Sequence, residues 1–204
     1  MSSRTQTGAD RRSRYLETAL ALFIEHGYHG VTMDTVVAAA GGSKATIYRH
    51  FASKQALFSA IVDDLQATLA AAPPPQDVVD LPLADGLRIL GRATATAALS
   101  ERAIVLLRLA AGEHNRFPEL SRLLFELAPG RSYERFHNYL EAKQARGEVT
   151  VPDVQIASEH FLAGLAGHLQ LRMLLGVGAP TPEDIDRRVE AAVGLFLRGY
   201  GAPE

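Results

Sequence analysis

Residues 30–58 read GVTMDTVVAAAGGSKATIYRHFASKQALF, and this stretch decides the fold of the N-terminal part of the chain. Thr32, Ser43 and Ser53 each precede a segment with helical spacing of apolar residues, where a hydroxyl side chain caps a helix N-terminus. Gly41-Gly42 breaks the pattern between the first two segments. Three caps and a glycine break within about two dozen residues predict a helix-turn-helix. Its predicted helices are 33–40, 44–50 and one that begins at Lys54.

The rest of the chain also has helical periodicity. One helix is predicted over 10–26, and Gly27 supplies its stop. Pro73-Pro74-Pro75 ends the helix that begins at Lys54 and predicts a loop to about Pro82. Further helices are predicted over 83–99, 101–115, 118–128, 130–146, 154–175 and 182–200. Apart from 148–151, no alternating pattern is long enough for a strand. The predicted fold class is all-α, with an N-terminal three-helix helix-turn-helix domain and a C-terminal helical bundle.

Composition excludes several classes of protein. The 204 residues contain no cysteine, which rules out disulfides and thiolate metal sites. No apolar run approaches the roughly 20 residues of a membrane span. The polar start MSSRTQTGADRRSR lacks the apolar core of a secretion signal. We therefore expect a cytoplasmic protein without a membrane partner, whose residues 1–9 form a flexible arm.

Charge is distributed unevenly along the chain. Residues 1–60 hold seven Lys or Arg and four Asp or Glu, whereas acids outnumber bases in the remainder. A basic N-terminal part on an acidic body indicates a polyanionic partner for the N-terminal part alone.

The segment 43–50 has the chemistry of a DNA-reading helix. Ile47 and Phe51 can hold it to the core, which leaves small and polar side chains on the opposite face. Small side chains allow close approach to base edges, and hydroxyls bond phosphate oxygens. Lys44 and Lys54 stand in first helical turns, where the macrodipole disfavours a cation unless an anion such as a phosphate is bound there. The expected DNA-binding residues are Thr32, Ser43, Lys44, Ala45, Thr46, Tyr48, Arg49, His50 and Lys54.

These residues resemble the DNA-binding domain of the TetR family of bacterial repressors. The resemblance rests on Ala-Leu-x-Leu-Phe (19–23) with Gly27-Tyr28 and Gly30, on Thr32 with Val-Val-Ala-Ala-Ala-Gly (36–41), on Ser-Lys-Ala-Thr-Ile-Tyr-Arg-His-Phe (43–51), and on Ser-Lys-Gln-Ala-Leu-Phe (53–58). It implies phosphate contacts at Thr32, Tyr48 and Lys54, and base contacts at Lys44, Ala45 and Thr46, with Arg49 as a further candidate. Gly42 departs from the pattern, because the family often has an apolar residue there.

The C-terminal two-thirds resembles an AefR-like domain of the same family. This resemblance rests on Arg-Phe-Pro-Glu-Leu (116–120), Ala-Arg-Gly-Glu (145–148) and Phe-Leu-Ala-Gly-Leu (161–165) leading to Leu-Arg-Met-Leu-Leu-Gly (171–176). It implies a ligand cavity among the middle helices and a dimer formed by the last two.

The last two helices have sequence features of a dimer interface. Helix 154–175 is apolar on more than one face, and Gly164 and Gly167 allow close approach of a second backbone. We expect these helices to form an isologous four-helix contact, although any one such stripe could instead be an internal core. The expected interface residues are Phe161, Gly164, Leu165, Leu171, Val189, Val193 and Phe196.

Polar and aromatic residues within apolar helices are candidates for an effector pocket. They are Arg102, His114, Phe117, Phe125, Tyr133, Phe136, His137, His168 and Arg172. For any single one of these residues, an ordinary structural role is the more common case, such as a satisfied core histidine or a surface arginine. His160 and His168 are two helical turns apart, too far for a shared metal, so no metal and no cofactor is predicted.

The expected protein is a ligand-responsive transcriptional regulator, most simply a repressor. It binds a palindromic double-stranded DNA operator as a homodimer, and a small hydrophobic effector releases it. An enzyme is disfavoured, because no GxSxG, P-loop, dinucleotide glycine motif or cysteine nucleophile is present. A helical small-molecule-binding or interaction protein without DNA binding is the alternative. The expected divisions are an arm (1–9), a helix-turn-helix domain (10–53), a connecting helix (54–72) and a ligand-binding and dimerisation domain (83–204).

Overall fold

The computed structural model describes the backbone of residues 3–69 and 78–200, and the side chains of residues 10–65 and 78–200. Within these ranges the chain is helical and contains no β-strand, which confirms the all-α prediction. The helices are α1 (Ser3–Gly30), α2 (Met33–Ala40), α3 (Lys44–His50), α4 (Lys54–Leu69), α5 (Leu83–Ala98), α6 (Glu101–Glu113), α7 (Pro118–Phe125), α8 (Arg131–Ala145), α9 (Val154–Leu174) and α10 (Pro182–Tyr200), with a 3₁₀ helix at Val78–Asp80 and a π-helix at Glu126–Gly130.

Most helix ends lie within two residues of their predicted positions, and three local features differ. Helix α1 begins at Ser3, so the arm predicted over 1–9 has helical backbone from its third residue. Extending an existing helix costs far less than starting one, and no proline blocks this extension. Gly27 takes φ 71° and interrupts α1. The break predicted between helices 118–128 and 130–146 is a π-helical turn that contains Pro129, since proline has no N–H for the regular α-helical bond. Residues 1–2 and the triple proline lie outside the described residues.

The first of two compact units contains residues 1–65 and 105–127. Its N-terminal helices contribute one apolar face each, at the spacing of three or four residues expected for amphipathic helices. Fully burying such a side chain contributes about 1.5–3 kcal/mol. The buried residues of α1–α4 include Tyr15, Leu16, Ala19, Phe23, Tyr28, Met33, Val36, Ala40, Ile47, Leu57, Phe58 and Ile61. The membership of 105–127 differs from the predicted division, which placed this segment in the C-terminal domain.

The second unit contains residues 66–104 and 128–204. Its core lies among α5, α8, α9 and α10 and is centred on three phenylalanines. The rings of Phe136 and Phe161 stack with centroids 4.5 Å apart. Phe196 meets Phe161 edge-on at 5.5 Å. Such pairs add about 0.5–1.5 kcal/mol to the gain from burial.

This core corrects most of the predicted dimer interface. Five of the seven residues are buried within their own unit, because both helices turn their most apolar face to α5 and α8. These five are Phe161, Leu165, Val189, Val193 and Phe196. Gly164 and Leu171 are exposed on α9. Phe136, predicted in the effector pocket, belongs to the same core and is closed off from solvent by its stacking partners.

The turn between α2 and α3 requires both of its glycines. Gly41 has φ 77° and ψ 161°, a region open essentially to glycine alone. Gly42 has φ 113°. A Cβ atom on Gly42 would lie 2.5 Å from the hydroxyl oxygen of Tyr15, which is buried and has no hydrogen-bond partner among the described residues. The apolar side chain that the family often carries here would therefore overlap Tyr15.

Substitutions in this turn should separate backbone strain from steric overlap. Gly41→Ala should lower the free energy of unfolding by about 1–3 kcal/mol, from its backbone angles alone. Its added Cβ meets no atom within 4 Å. Gly42→Ala should cost more, because strain and overlap add. Tyr15→Phe should be neutral or stabilising, and it should recover part of the stability that Gly42→Ala removes, because it takes away the overlapping hydroxyl. Urea denaturation of the three single variants and the double variant measures this; equal destabilisation by the two glycine substitutions would contradict the overlap.

Candidate nucleic-acid interface

Side-chain caps position the two helices of the motif. The Thr32 hydroxyl accepts a hydrogen bond from the Thr35 amide at 3.1 Å, and the Thr32 amide donates to the Thr35 hydroxyl at 2.9 Å. This is a reciprocal capping box. The Ser43 hydroxyl accepts from the Thr46 amide at 3.2 Å at the start of α3. The two helix starts predicted from the sequence therefore have the expected physical cause.

Helix α3 presents a polar face to solvent. Ile47 is buried, whereas Lys44, Ala45, Tyr48 and Arg49 are exposed. Half of Tyr48 is accessible to solvent, so its hydroxyl can reach a phosphate oxygen of a bound duplex. This face has the small and hydrogen-bonding groups that can enter a major groove.

Thr46 was predicted on the reading face of α3, and the structure places it on the inner side. Its side chain is buried, and its hydroxyl oxygen lies 2.9 Å from that of Ser43. Position 46 is three residues after the cap, so the side chain folds back onto the cap instead of pointing away from the protein. His50 is half-buried, with its ring 6.2 Å from the ring of Tyr15. Both residues support α3 from its inner side in the described structure.

Lys44 forms an ion pair at the surface. Its ammonium nitrogen lies 2.6 Å from a carboxylate oxygen of Asp34 in the first turn of α2. The hydrogen bond to Asp34 raises the pKa of Lys44. Both side chains are mostly exposed, so water and salt weaken the pair and a phosphate can compete for the cation.

Lys54 is held differently. Its ammonium donates to the carbonyl oxygens of Tyr28 at 2.7 Å and Val31 at 2.8 Å, and lies 4.2 Å from the centroid of the Tyr28 ring. Burial lowers the pKa of Lys54. Burial, with a smaller contribution from Glu119, raises the pKa of Tyr28 to about 12. The sequence predicted that the Lys54 ammonium binds a phosphate. In the structure, backbone carbonyls at the end of α1 accept its hydrogen bonds.

The end of α6 and the residue before α7 contact the same end of α1. A Glu113 carboxylate oxygen accepts a hydrogen bond from the His29 amide at 3.2 Å. The Phe117 ring meets the Tyr28 ring nearly edge-on, with centroids 5.1 Å apart, and lies 5.7 Å from the Lys54 ammonium. Phe117, predicted in the effector pocket, instead packs at the junction of α1 and α4.

The sequence matches two family descriptions that cover most of the chain. Residues 16–61 match the bacterial regulatory proteins of the tetR family. Residues 85–202 match the C-terminal domain of AefR-like transcriptional repressors. The chain belongs to the TetR family. It is a transcriptional regulator with a DNA-binding helix-turn-helix, and neither the enzyme nor the DNA-independent binding protein considered above.

Relatives align over nearly the whole length of this TetR-family protein. The transcriptional regulator UidR of Escherichia coli (strain K12) is 28% identical over 198 residues, which are 96% of this chain and 94% of UidR. The structure of the flavonoid-responsive regulator FrrA matches with a TM-score of 0.79 and 30% identity, covering 96% of this chain and 100% of FrrA. A TetR regulator from Agrobacterium tumefaciens matches with a TM-score of 0.74 and 29% identity, over 94% of this chain and 95% of that one.

The predicted effector residues of this regulator do not form one group. His114 and Phe125 are exposed in the first unit, and the His114 ring nitrogen lies 3.2 Å from the Ser121 hydroxyl. In the second unit, Arg102, Tyr133 and His137 are half-buried, and His168 and Arg172 are exposed on α9. Among the described residues, no helix is both long enough and apolar enough to cross a membrane.

The two lysines should respond differently to removal of their charge. Lys54→Gln should lower the free energy of unfolding by about 1–2 kcal/mol, because charged hydrogen bonds to two carbonyls disappear. It should leave the dependence of DNA affinity on salt unchanged. Lys44→Gln should leave stability unchanged and weaken binding to DNA, most strongly at low salt. Urea denaturation and fluorescence anisotropy over a series of KCl concentrations measure both effects.

One outcome would contradict this assignment of Lys54. If Lys54→Gln kept its stability and lowered the slope of log affinity against log salt by about 0.9, Lys54 would bind a phosphate directly.

Proposed function

We propose that this TetR-family regulator is a repressor that binds a palindromic operator as a homodimer and leaves it when a small hydrophobic molecule binds. The observation that carries the proposal is the exposed face of α3, with Tyr48 at its centre. One short helix covers too few base pairs for selective binding. A two-fold dimer places two such helices in successive major grooves and therefore favours a palindromic site.

The exposed faces of α9 and α10 support the dimer. Leu171 on α9 is 54% exposed and Leu195 on α10 is 66% exposed. Gly164 and Ala191 line a groove of about 590 Å³ along these helices. Small residues beside large exposed apolar ones allow a second pair of helices to approach closely. An isologous contact would cover this surface with the same surface of a second copy. The proposed interface therefore keeps Gly164 and Leu171 from the sequence prediction and adds Leu195.

Support for an effector comes from a relative and from one aromatic group. FrrA, whose name describes a flavonoid-responsive regulator, aligns with 96% of this chain. On α8, the Tyr133 hydroxyl lies 3.4 Å from a ring nitrogen of His137, and both side chains are half-buried. A phenol and an imidazole can orient the polar groups of an otherwise apolar ligand. We therefore propose planar aromatic compounds, such as flavonoids, as the first effectors to test.

Release requires only a difference in affinity. Suppose that an effector binds more tightly to a conformation in which the two reading helices are wrongly spaced for the operator. At saturation it lowers operator affinity by at most the ratio of its affinities for the two conformations.

Charged substitutions on α9 and α10 test the dimer. Leu171→Glu and Leu195→Glu should each convert the dimer to a folded monomer, because a carboxylate would be buried against its symmetry mate. Phe125→Glu is the matched control, since Phe125 is equally exposed, at 65%, but lies on α7. Sedimentation velocity gives the mass, and circular dichroism gives the fold. A dimer that survives both leucine substitutions would place the interface elsewhere.

Gel shifts with DNA from upstream of the protein's own gene test repression and release. The protein should retard this DNA at stated salt, and an effector from a panel of flavonoids and unrelated apolar aromatics should both raise the melting temperature and abolish the shift.

Tyr48→Ala should abolish the shift and keep the thermal response to the effector. If Tyr48→Ala bound DNA like the wild type, α3 would not be the reading helix. Compounds that raise the melting temperature without weakening DNA binding would contradict release.

A further inference from the structure

The N-terminal part of α1 carries a group of arginines that the helix-turn-helix motif does not include. Arg11, Arg12 and Arg14 fall within four residues, and Asp10 is the adjacent acid. Arg11 and Arg14 are exposed, and Arg12 is half-buried. Within residues 10–65 and 78–200, no carboxylate forms an ion pair with Arg11 or Arg12. Exposed arginines elsewhere do pair with acids of their own unit, for example Arg92 with Asp186 at 2.8 Å.

One contact places this part of α1 beside the reading helix. The guanidinium carbon of Arg12 lies 5.6 Å from the centroid of the Phe51 ring, and Phe51 is the C-cap residue of α3. One turn along α1, the Tyr15 ring lies 6.2 Å from the ring of His50, the last residue of α3. The arginines are therefore next to the C-terminal end of α3.

The geometry of DNA makes this position useful. A major groove is about 12 Å wide, so a helix lying in it has a phosphate backbone close to its ends. A guanidinium binds phosphate through two parallel hydrogen bonds. Because Arg12 is already held over an aromatic ring, it has less side-chain entropy to lose on binding than a free arginine.

We infer that Arg11 and Arg12 bind a backbone phosphate of duplex DNA at the edge of the groove, beside the C-terminal end of α3. The site is continuous with the reading face of α3, and it rests on α3 being the helix that enters the groove. A phosphate contact carries no sequence information, so the two arginines strengthen binding to every duplex and set the register of α3.

Substitutions of arginine by uncharged glutamine test this site, with a control arginine near the other end of α1. Arg11→Gln is the main variant, because an exposed side chain can be replaced without unfolding the protein. Arg12→Gln and Arg12→Lys accompany it. Arg116→Gln is the matched control, since Arg116 is exposed and the substitution removes the same charge. Arg116 follows three residues after Glu113, which bonds to His29 at the opposite end of α1. His29 is 17 residues from Arg12, or about 25 Å at a rise of about 1.5 Å per residue.

The probes are a short mixed-sequence duplex and the duplex from upstream of the gene, titrated by anisotropy over a series of KCl concentrations. Arg11→Gln and Arg12→Gln should lower the slope of log affinity against log salt by about 0.9 per protomer for each phosphate that the variant no longer binds. The affinity for both duplexes should fall by the same factor, and Arg12→Lys should retain most of the slope. Arg116→Gln should match the wild type.

Two results would overturn the inference. One is an unchanged salt slope for Arg11→Gln and Arg12→Gln in variants whose melting temperatures match the wild type. The other is an equal fall for Arg116→Gln, which would indicate a general charge effect. Either result leaves DNA binding by α3 intact, because Tyr48→Ala tests that independently. Failure of the wild type to bind either duplex at low salt would instead contradict the DNA-binding role itself.

Discussion

The ammonium group of Lys54 connects the two ends of the helix-turn-helix unit. It donates to the carbonyl oxygens of Tyr28 and Val31, where α1 ends, and it belongs to the first turn of α4. Helices α2 and α3 lie between Val31 and Lys54 in the chain. The Lys54 contact therefore connects the residues that flank the two helices, although neither helix takes part in it. Carbonyls at a helix C-terminus have no partner within their helix, and a cation there satisfies both the hydrogen bonds and the macrodipole. The anchor therefore ties the start of α4 to the end of α1, on either side of α2 and α3 in the chain.

The same anchor is the place where α6 and α7 meet α1. The Phe117 ring packs against Tyr28, and the Glu113 carboxylate accepts a hydrogen bond from the His29 amide. A Cβ atom on Gly27 would approach a Glu113 carboxylate oxygen to 2.8 Å, so glycine at this position leaves room for the contact. These contacts hold the end of α6 against the end of α1.

Helix α9 has a core face and an outward face. In α9, Phe161 and Leu165 fill the core, whereas Gly164 and Leu171 face outward. Helix α9 is apolar around much of its circumference, so its sequence pattern alone does not distinguish the core face from the outer face. The choice is made by α5 and α8, which supply the matching apolar surface, including the stacked ring of Phe136. The periodicity therefore did not identify the core face, and five of the seven predicted interface residues lie in the core: Phe161 and Leu165 on α9, and Val189, Val193 and Phe196 on α10.

Local chemistry in the sequence was sufficient to predict the helices, the caps at Thr32 and Ser43, the glycine turn and the polar face of α3, because each depends on residues close together in the chain.

Contacts between distant residues could not be predicted in that way. The sequence places Lys54 where a phosphate ligand would stand, but the carbonyl of Tyr28, 26 residues away, accepts its hydrogen bond. The sequence likewise places Thr46 on the outer face of α3, but its hydroxyl lies against that of Ser43. Arg12 has no role in the sequence motif, and the Phe51 ring beneath it brings it beside α3. The helical segments and the family could thus be identified from the sequence. Which charged groups already have partners, and which still face solvent, depends on residues that only folding brings together.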